Sequence, residues 1–145
     1  MKTYQISCKI GSTDTTANLG LEIWIDNTQL YTADHVTETS VPLTFDLDED
    51  EVDHELRFVM KNKTQEHTTV DEQGSIVKDA RLTISNVTFD EILLEQIFFE
   101  QAVYTHDFNG TQAETTDKFY GEMGCNGTVS LKFFSPVYLW LLETM

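Results

Sequence analysis

Cysteine is almost missing from this chain: Cys8 and Cys125 are its only two. Two cysteines make neither a disulfide framework nor a zinc site by themselves. A bridge between them stays open, but Cys8 falls on the apolar face of the first strand, which favours a buried thiol. Proline and glycine are scarce as well, two and seven in 145 residues, which excludes a collagen-like or low-complexity chain. Positive charge is short: nine Lys and Arg stand against 25 Asp and Glu, a net charge of −16. Nucleic acid and anionic lipid both require a basic footprint, so neither is an expected partner. The balance suits a soluble protein, a cation binder, or one that meets a basic partner. No stretch approaches the roughly 20 apolar residues of a spanning helix, so no membrane association is expected. The opening MKTYQISCKI has no apolar signal-peptide core, and the expected location is the cytoplasm in which the chain is made. Catalytic motifs are missing too: there is no G-x-S-x-G, no H-E-x-x-H and no phosphate-binding glycine loop. The histidines, His35, His54, His67 and His106, read as loop residues, and no nucleophile is marked beside His106-Asp107.

What the chain has is alternation. Val41, Leu43, Phe45 and Leu47 point one way, and Pro42, Thr44 and Asp46 the other. Leu56, Phe58 and Met60 repeat the pattern against Glu55, Arg57 and Lys61. Period two marks half-buried strands of an antiparallel sheet, here joined across the acidic DEDEVDH as a hairpin tip. Tyr4, Ile6, Cys8 and Ile10 form an earlier strand. Leu21, Ile23 and Ile25 form another, leading through Asp26-Asn27 into a hairpin. In Ala80 to Phe89 the apolar register slips from Leu82 and Ile84 to Val87 and Phe89, which predicts a bulge near Asn86. Ile97 to Tyr104 reads as a strand, although Ile92, Leu93, Gln96, Ile97 and Phe99 also make a short helical stripe. Val137 to Leu142 is apolar on both faces and reads as a central strand or a surface packed on a partner. Lys61 to Lys78 and Thr105 to Asn126 read as long polar loops. The expectation is one all-β domain over 1–145: an antiparallel two-sheet β-sandwich of jelly-roll type.

Candidate ligand-binding residues are aromatic. Trp24 should share the outer strand face with Glu22 and Asp26, and an indole on a polar face calls for a sugar ring, a partner chain or a covering loop. Tyr31, Tyr104, Phe108, Phe119 and Tyr120 sit in or beside loops. Rings flanked by carboxylates are how sandwich modules hold carbohydrate; for Tyr31 and Phe119 burial under the loops is the better reading. No catalytic residue is singled out, and a non-catalytic module is expected. The alternative is a carboxylate-based glycan-active enzyme, resting only on abundant Asp and Glu. Asp48, Glu49, Asp50 and Asp53 offer hard oxygens that suit calcium but match no EF-hand spacing. Asn62-Lys63-Thr64, Asn86-Val87-Thr88, Asn109-Gly110-Thr111 and Asn126-Gly127-Thr128 match the glycosylation acceptor and read as turn chemistry.

The hairpin LEIWIDNTQLYTA, the stretches VPLTFDL and HELRFVMKN, and the later DARLTISNVTF give residues 19–90 a resemblance to calcium-dependent xylan-binding carbohydrate-binding modules. That resemblance implies calcium ligands at Asn62 and Asp79, with Lys63 standing where the family has an aspartate. The close GCNGTVSLKFFSPVYLWLLE is similar in texture to small proteins of tailed marine cyanophages. This second likeness implies a virion-associated or accessory role. The expected partner is then carbohydrate or another virion protein, with the C-terminus as core or as a surface for homo-oligomers.

Overall fold

The computed structural model describes residues 2–14, 18–47, 53–62, 68–70, 72–73, 76–106, 115–123, 126–134 and 137–144. Two antiparallel sheets face each other. The smaller contains β1 (Lys2–Ser12), β4 (Thr39–Leu47), β8 (Leu82–Phe89), β9 (Ile92–Leu93) and β12 (Glu122–Met123). Its order is β12-β8-β1-β4, with β9 added to β8. The larger contains β2 (Gly20–Ile25), β3 (Thr28–Ala33), β5 (Asp53–Lys61), β10 (Val103–His106), β11 (Thr115–Lys118) and β13 (Gly127–Phe134). Its order is β11-β10-β13-β5-β2-β3. A separate hairpin joins β6 (Thr68–Val70) to β7 (Ile76–Asp79).

The alternating residues meet between the sheets. Tyr4, Ile6, Cys8 and Ile10 from β1, Val41, Leu43, Phe45 and Leu47 from β4, and Leu56, Phe58 and Met60 from β5 are all buried. Phe89 links the layers: its ring lies edge-on to Tyr4 at 5.5 Å and to Phe45 at 5.9 Å in its own sheet, and to Phe133 of the opposite sheet at 5.5 Å. Such edge-to-face pairs add to the stabilisation from buried area itself. Burial also silences Cys8, whose thiol pKa is pushed up to about 12 by desolvation. The predicted bulge is present. Ser7 pairs with Thr88 and Lys9 with Ser85, so β8 carries an extra residue there, and Asn86 takes the left-handed φ of 53°. The β2–β3 hairpin is also present, turning through Asp26 at φ 52°.

Three expectations fail. First, β4 and β5 do not pair. β4 lies against β1, whereas β5 lies between β2 and β13, so the acidic segment between them is a crossover from one sheet to the other. Second, the strand expected over Ile97 to Tyr104 is a helix, α1 (Glu95–Gln101), before β10. Its buried residues are Leu94, Ile97 and Phe98, a spacing of three and four that competes with the Ile97/Phe99 alternation. No side chain caps its N-terminus; burial holds it, with Phe98 edge-on to Phe58 at 5.8 Å and to Phe119 at 5.6 Å. Third, the apolar C-terminal run is neither a central strand nor free of the core. It forms α2 (Val137–Thr144), whose Val137, Trp140 and Leu141 are buried, with Trp140 5.9 Å from Phe133. The two stretches expected as loops contain strands: β6 and β7 in one, β11 and β12 in the other.

Candidate functional site

The expected aromatic residues do not form one surface. Trp24 does face outward from the larger sheet and is half-buried. Its indole Nε1 donates to Glu22 Oε1 at 3.0 Å, and the Arg57 guanidinium lies 5.5 Å from its ring centroid. Arg57 is itself fixed: Nη2 donates to the Asp26 carbonyl at 2.6 Å, and Nε sits 3.4 Å from Glu55 Oε1, an ionic contact too long to be a good hydrogen bond. Glu22 also holds Lys61 Nζ at 3.2 Å, and that hydrogen bond keeps the Lys61 ammonium pKa above its ordinary value. The indole is thus clamped within a polar lattice of the sheet. Asp26 is turned away from it. Its Oδ2 lies 2.8 Å from His54 Nδ1 and its Oδ1 accepts the Glu55 N–H at 2.9 Å. His54, expected in a loop, is on β5 and buried. Tyr31 pairs with Ile23, so it packs half-buried against the core rather than beside Trp24. Phe108 lies outside the described residues.

Tyr104 and Tyr120 do come together, at the edge where β10 and β11 of one sheet approach β12 of the other. Tyr104 and His106 are two apart on β10 and share its inner face. Their rings stack at 3.9 Å between centroids. Asp117 on β11 pairs with Tyr104 in register, and its Oδ2 lies 3.2 Å from His106 Nε2. Next, Phe119 is driven fully into the core, edge-on to Phe98, while Tyr120 is thrown out to 77% exposure. Gly121 follows at φ +101°, a left-handed conformation that L side chains rarely adopt. Its carbonyl accepts the Ile84 N–H at 2.9 Å, which ties the turn to the smaller sheet. On that side Arg81 Nη1 donates to Glu122 Oε2 at 2.9 Å. The result is an open cleft of about 550 Å³ lined by Arg81, Tyr104, His106, Asp117, Lys118, Tyr120 and Glu122.

That cleft has what a sugar requires: an exposed ring for an apolar ring face, with donors and acceptors of both charges around it for hydroxyls. Neither Asp117 nor Glu122 stood out among 25 carboxylates, because long-range pairing is what brings them to the edge. His106 was within reach of the strand pattern, two positions beyond Tyr104.

Among solved structures, vCBM60 is similar. One form, described as linking two families of calcium-dependent carbohydrate-binding modules by circular permutation, matches with a TM-score of 0.56 at 12% identity, over 88% of this chain and 89% of that one. Another, vCBM60 in complex with galactobiose, matches with a TM-score of 0.53 at 14% identity, over 88% and 96%. The fold is a carbohydrate-binding-module-like β-sandwich. No family model and no curated protein matches the chain.

Asn62 follows β5 at φ 71° and is exposed, with its amide over Gly20, where Nδ2 would lie 2.7 Å from any Cβ. Asp79 ends β7, and Lys63 lies outside the described residues. Among the described residues no three His, Cys, Asp or Glu gather as a metal site.

Proposed function

We propose that this protein is a non-catalytic glycan-binding module that holds a saccharide in the cleft between β10, β11 and β12, against Tyr120. Tyr120 carries the proposal. A fully built turn, with Phe119 as its anchor and Gly121 as its hinge, spends its geometry on exposing one phenol ring beside a polar cleft. The likeness to a module solved with galactobiose supports the ligand class. In this reading Tyr120 receives the apolar face of a sugar ring, while Asp117, His106 and Glu122 hydrogen-bond its hydroxyls. Trp24 is a structural part of the sheet rather than the platform. No step runs through calcium.

The test is affinity electrophoresis or calorimetry against soluble galactan, xylan and β-glucan. The wild type retards on at least one of them, Tyr120→Ala loses that binding, and Trp24→Phe keeps it. Release of reducing sugar from the bound polymer overturns the non-catalytic reading. Retention that depends on Trp24 and not on Tyr120 moves the site to the outer face of the larger sheet.

A further inference from the structure

Among the described residues lining the Tyr120 cleft, His106 is the one whose side-chain type changes charge between pH 5 and 8. Its ring is set from two sides. One face lies on Tyr104, with 3.9 Å between centroids and 27° between planes, and Tyr104 is itself buried. At the edge, Nε2 faces Asp117 Oδ2 at 3.2 Å. The two side chains differ in freedom: that of His106 is 19% exposed and that of Asp117 68%. Asp117 has no other hydrogen bond or ion pair among the described residues. A packed ring thus stands beside a carboxylate that is otherwise loose.

The grip of the ring on that carboxylate depends on a proton. Neutral imidazole has one N–H, so Nε2 meets Asp117 as a donor in one tautomer and as a lone pair in the other. The imidazolium carries N–H on both nitrogens and always donates there, in a charge-assisted bond. The same positive charge is attracted to the π face of Tyr104. Other charges are close. Lys118 follows Asp117 and also lines the cleft, and Arg81 and Glu122 pair with each other across it at 2.9 Å. Thr115 on β11 and Gly127 on β13, the in-register neighbours of His106, carry no charge. Asp107, next in the chain, lies outside the described residues.

We propose that His106 is a positioning residue: as imidazolium it fixes Asp117 as an acceptor for a saccharide hydroxyl, which makes binding in the Tyr120 cleft proton-coupled. This rests on the reading of that cleft as the saccharide site and adds its regulation. Affinity is greatest with His106 protonated and falls as pH rises through the imidazole range. Because the pair is partly exposed, the fall is modest, about two- to fivefold. Carboxylates ordinarily ionise below this range, so they contribute little to the slope.

Calorimetry with soluble, uncharged galactan, arabinoxylan and β-glucan at pH 5.5, 6.5 and 8.0 tests the coupling. Wild type is expected to weaken about two- to fivefold from the lowest pH to the highest. His106→Gln and Asp117→Asn are each expected to give a flat profile, no tighter at any pH than wild type at pH 8.0. His35→Gln changes an exposed histidine that bonds Asn18 outside the cleft, and it keeps the wild-type slope. A His106 that serves structure alone would lower affinity by one factor at every pH and leave the slope unchanged. A flat wild-type profile, or a slope that survives in His106→Gln, overturns the coupling and leaves the Tyr120 site standing. No binding to any of the three polymers, or binding that Tyr120→Ala retains, overturns the reading of the cleft and the coupling with it.

Discussion

Gly127 opens β13, opposite His106 in β10 and Met60 in β5. A Cβ there would sit 2.1 Å from the Thr105 carbonyl oxygen and 3.1 Å from Tyr104 Cε1. Carbon normally keeps roughly 3.3–3.6 Å from a carbonyl oxygen. So Gly127→Ala forces β10 to retreat by more than about 1 Å, and the obstacle is backbone that cannot rotate aside. Removing a glycine restricts the unfolded chain and by itself would stabilise by about 0.4–1 kcal/mol. Overpacking costs about 1–3 kcal/mol, and a backbone clash belongs at the upper end. The clash wins, with a net loss of roughly 2 kcal/mol. For a chain of this length that lowers Tm by about 6–8 °C. Gly11→Ala is the control: its Cβ would meet the rotatable Thr83 Oγ1 at 3.0 Å, and the loss should be small. Thermal melts followed by near-UV circular dichroism read both. Because β10 carries Tyr104 and His106, Gly127→Ala should also weaken saccharide binding at temperatures where the variant is still folded. A Tm equal to or above wild type would refute the packing argument and the placement of β13 against β10.

Other outcomes follow from the same geometry. Phe98→Ala removes a ring packed on Phe58 and Phe119 and should cost about 3–5 kcal/mol in urea titrations, with α1 losing its largest buried side chain. In a Cys125→Ser background, Cys8 should react with a thiol reagent only at the rate of unfolding, because burial keeps it protonated to about pH 12. The sign of its linkage is fixed. The unfolded thiol ionises near its ordinary value while the folded one does not, so stability is lost as pH rises from about 9 toward 12. Cys8→Ala should flatten that part of the profile. Melting with and without chelator tests the calcium ligands that the resemblance implies: a fall in Tm restored by calcium supports them, and an unchanged Tm removes them.

The sandwich was legible because β1, β4, β5 and β8 each bury every second residue, a pattern that survives whichever strand lies beside them. Their pairing was not. Adjacent strands are usually neighbours, and β4 and β5 follow that rule in sequence while belonging to different sheets. The helices were hidden for a different reason. In Leu94 to Phe99 four of six residues are apolar and three of them are consecutive, so periods of two and of 3.6 both fit, and Phe98 in the core settles the matter only in three dimensions. At the cleft, Tyr120 was visible as an aromatic in a polar segment. Asp117 and Glu122 lie within three positions of Tyr120 but were lost among 25 carboxylates, and Arg81, just before β8, is brought in only by the pairing of β12 with β8. Trp24 was placed on the correct face, but nothing local announced that Arg57, 33 positions on, would lie over its ring.

The larger sheet seats its last strand in the middle, between β5 and β10. During synthesis, the ribosome must deliver residue 134 before the two halves of that sheet have anything to hold them together. Until then β5 and the β10–β11 ribbon each expose an open row of amides and carbonyls, the raw material of mispairing. Assembly should therefore be a late, all-or-nothing event, and a fragment stopped before residue 127 should aggregate rather than survive as a smaller sandwich.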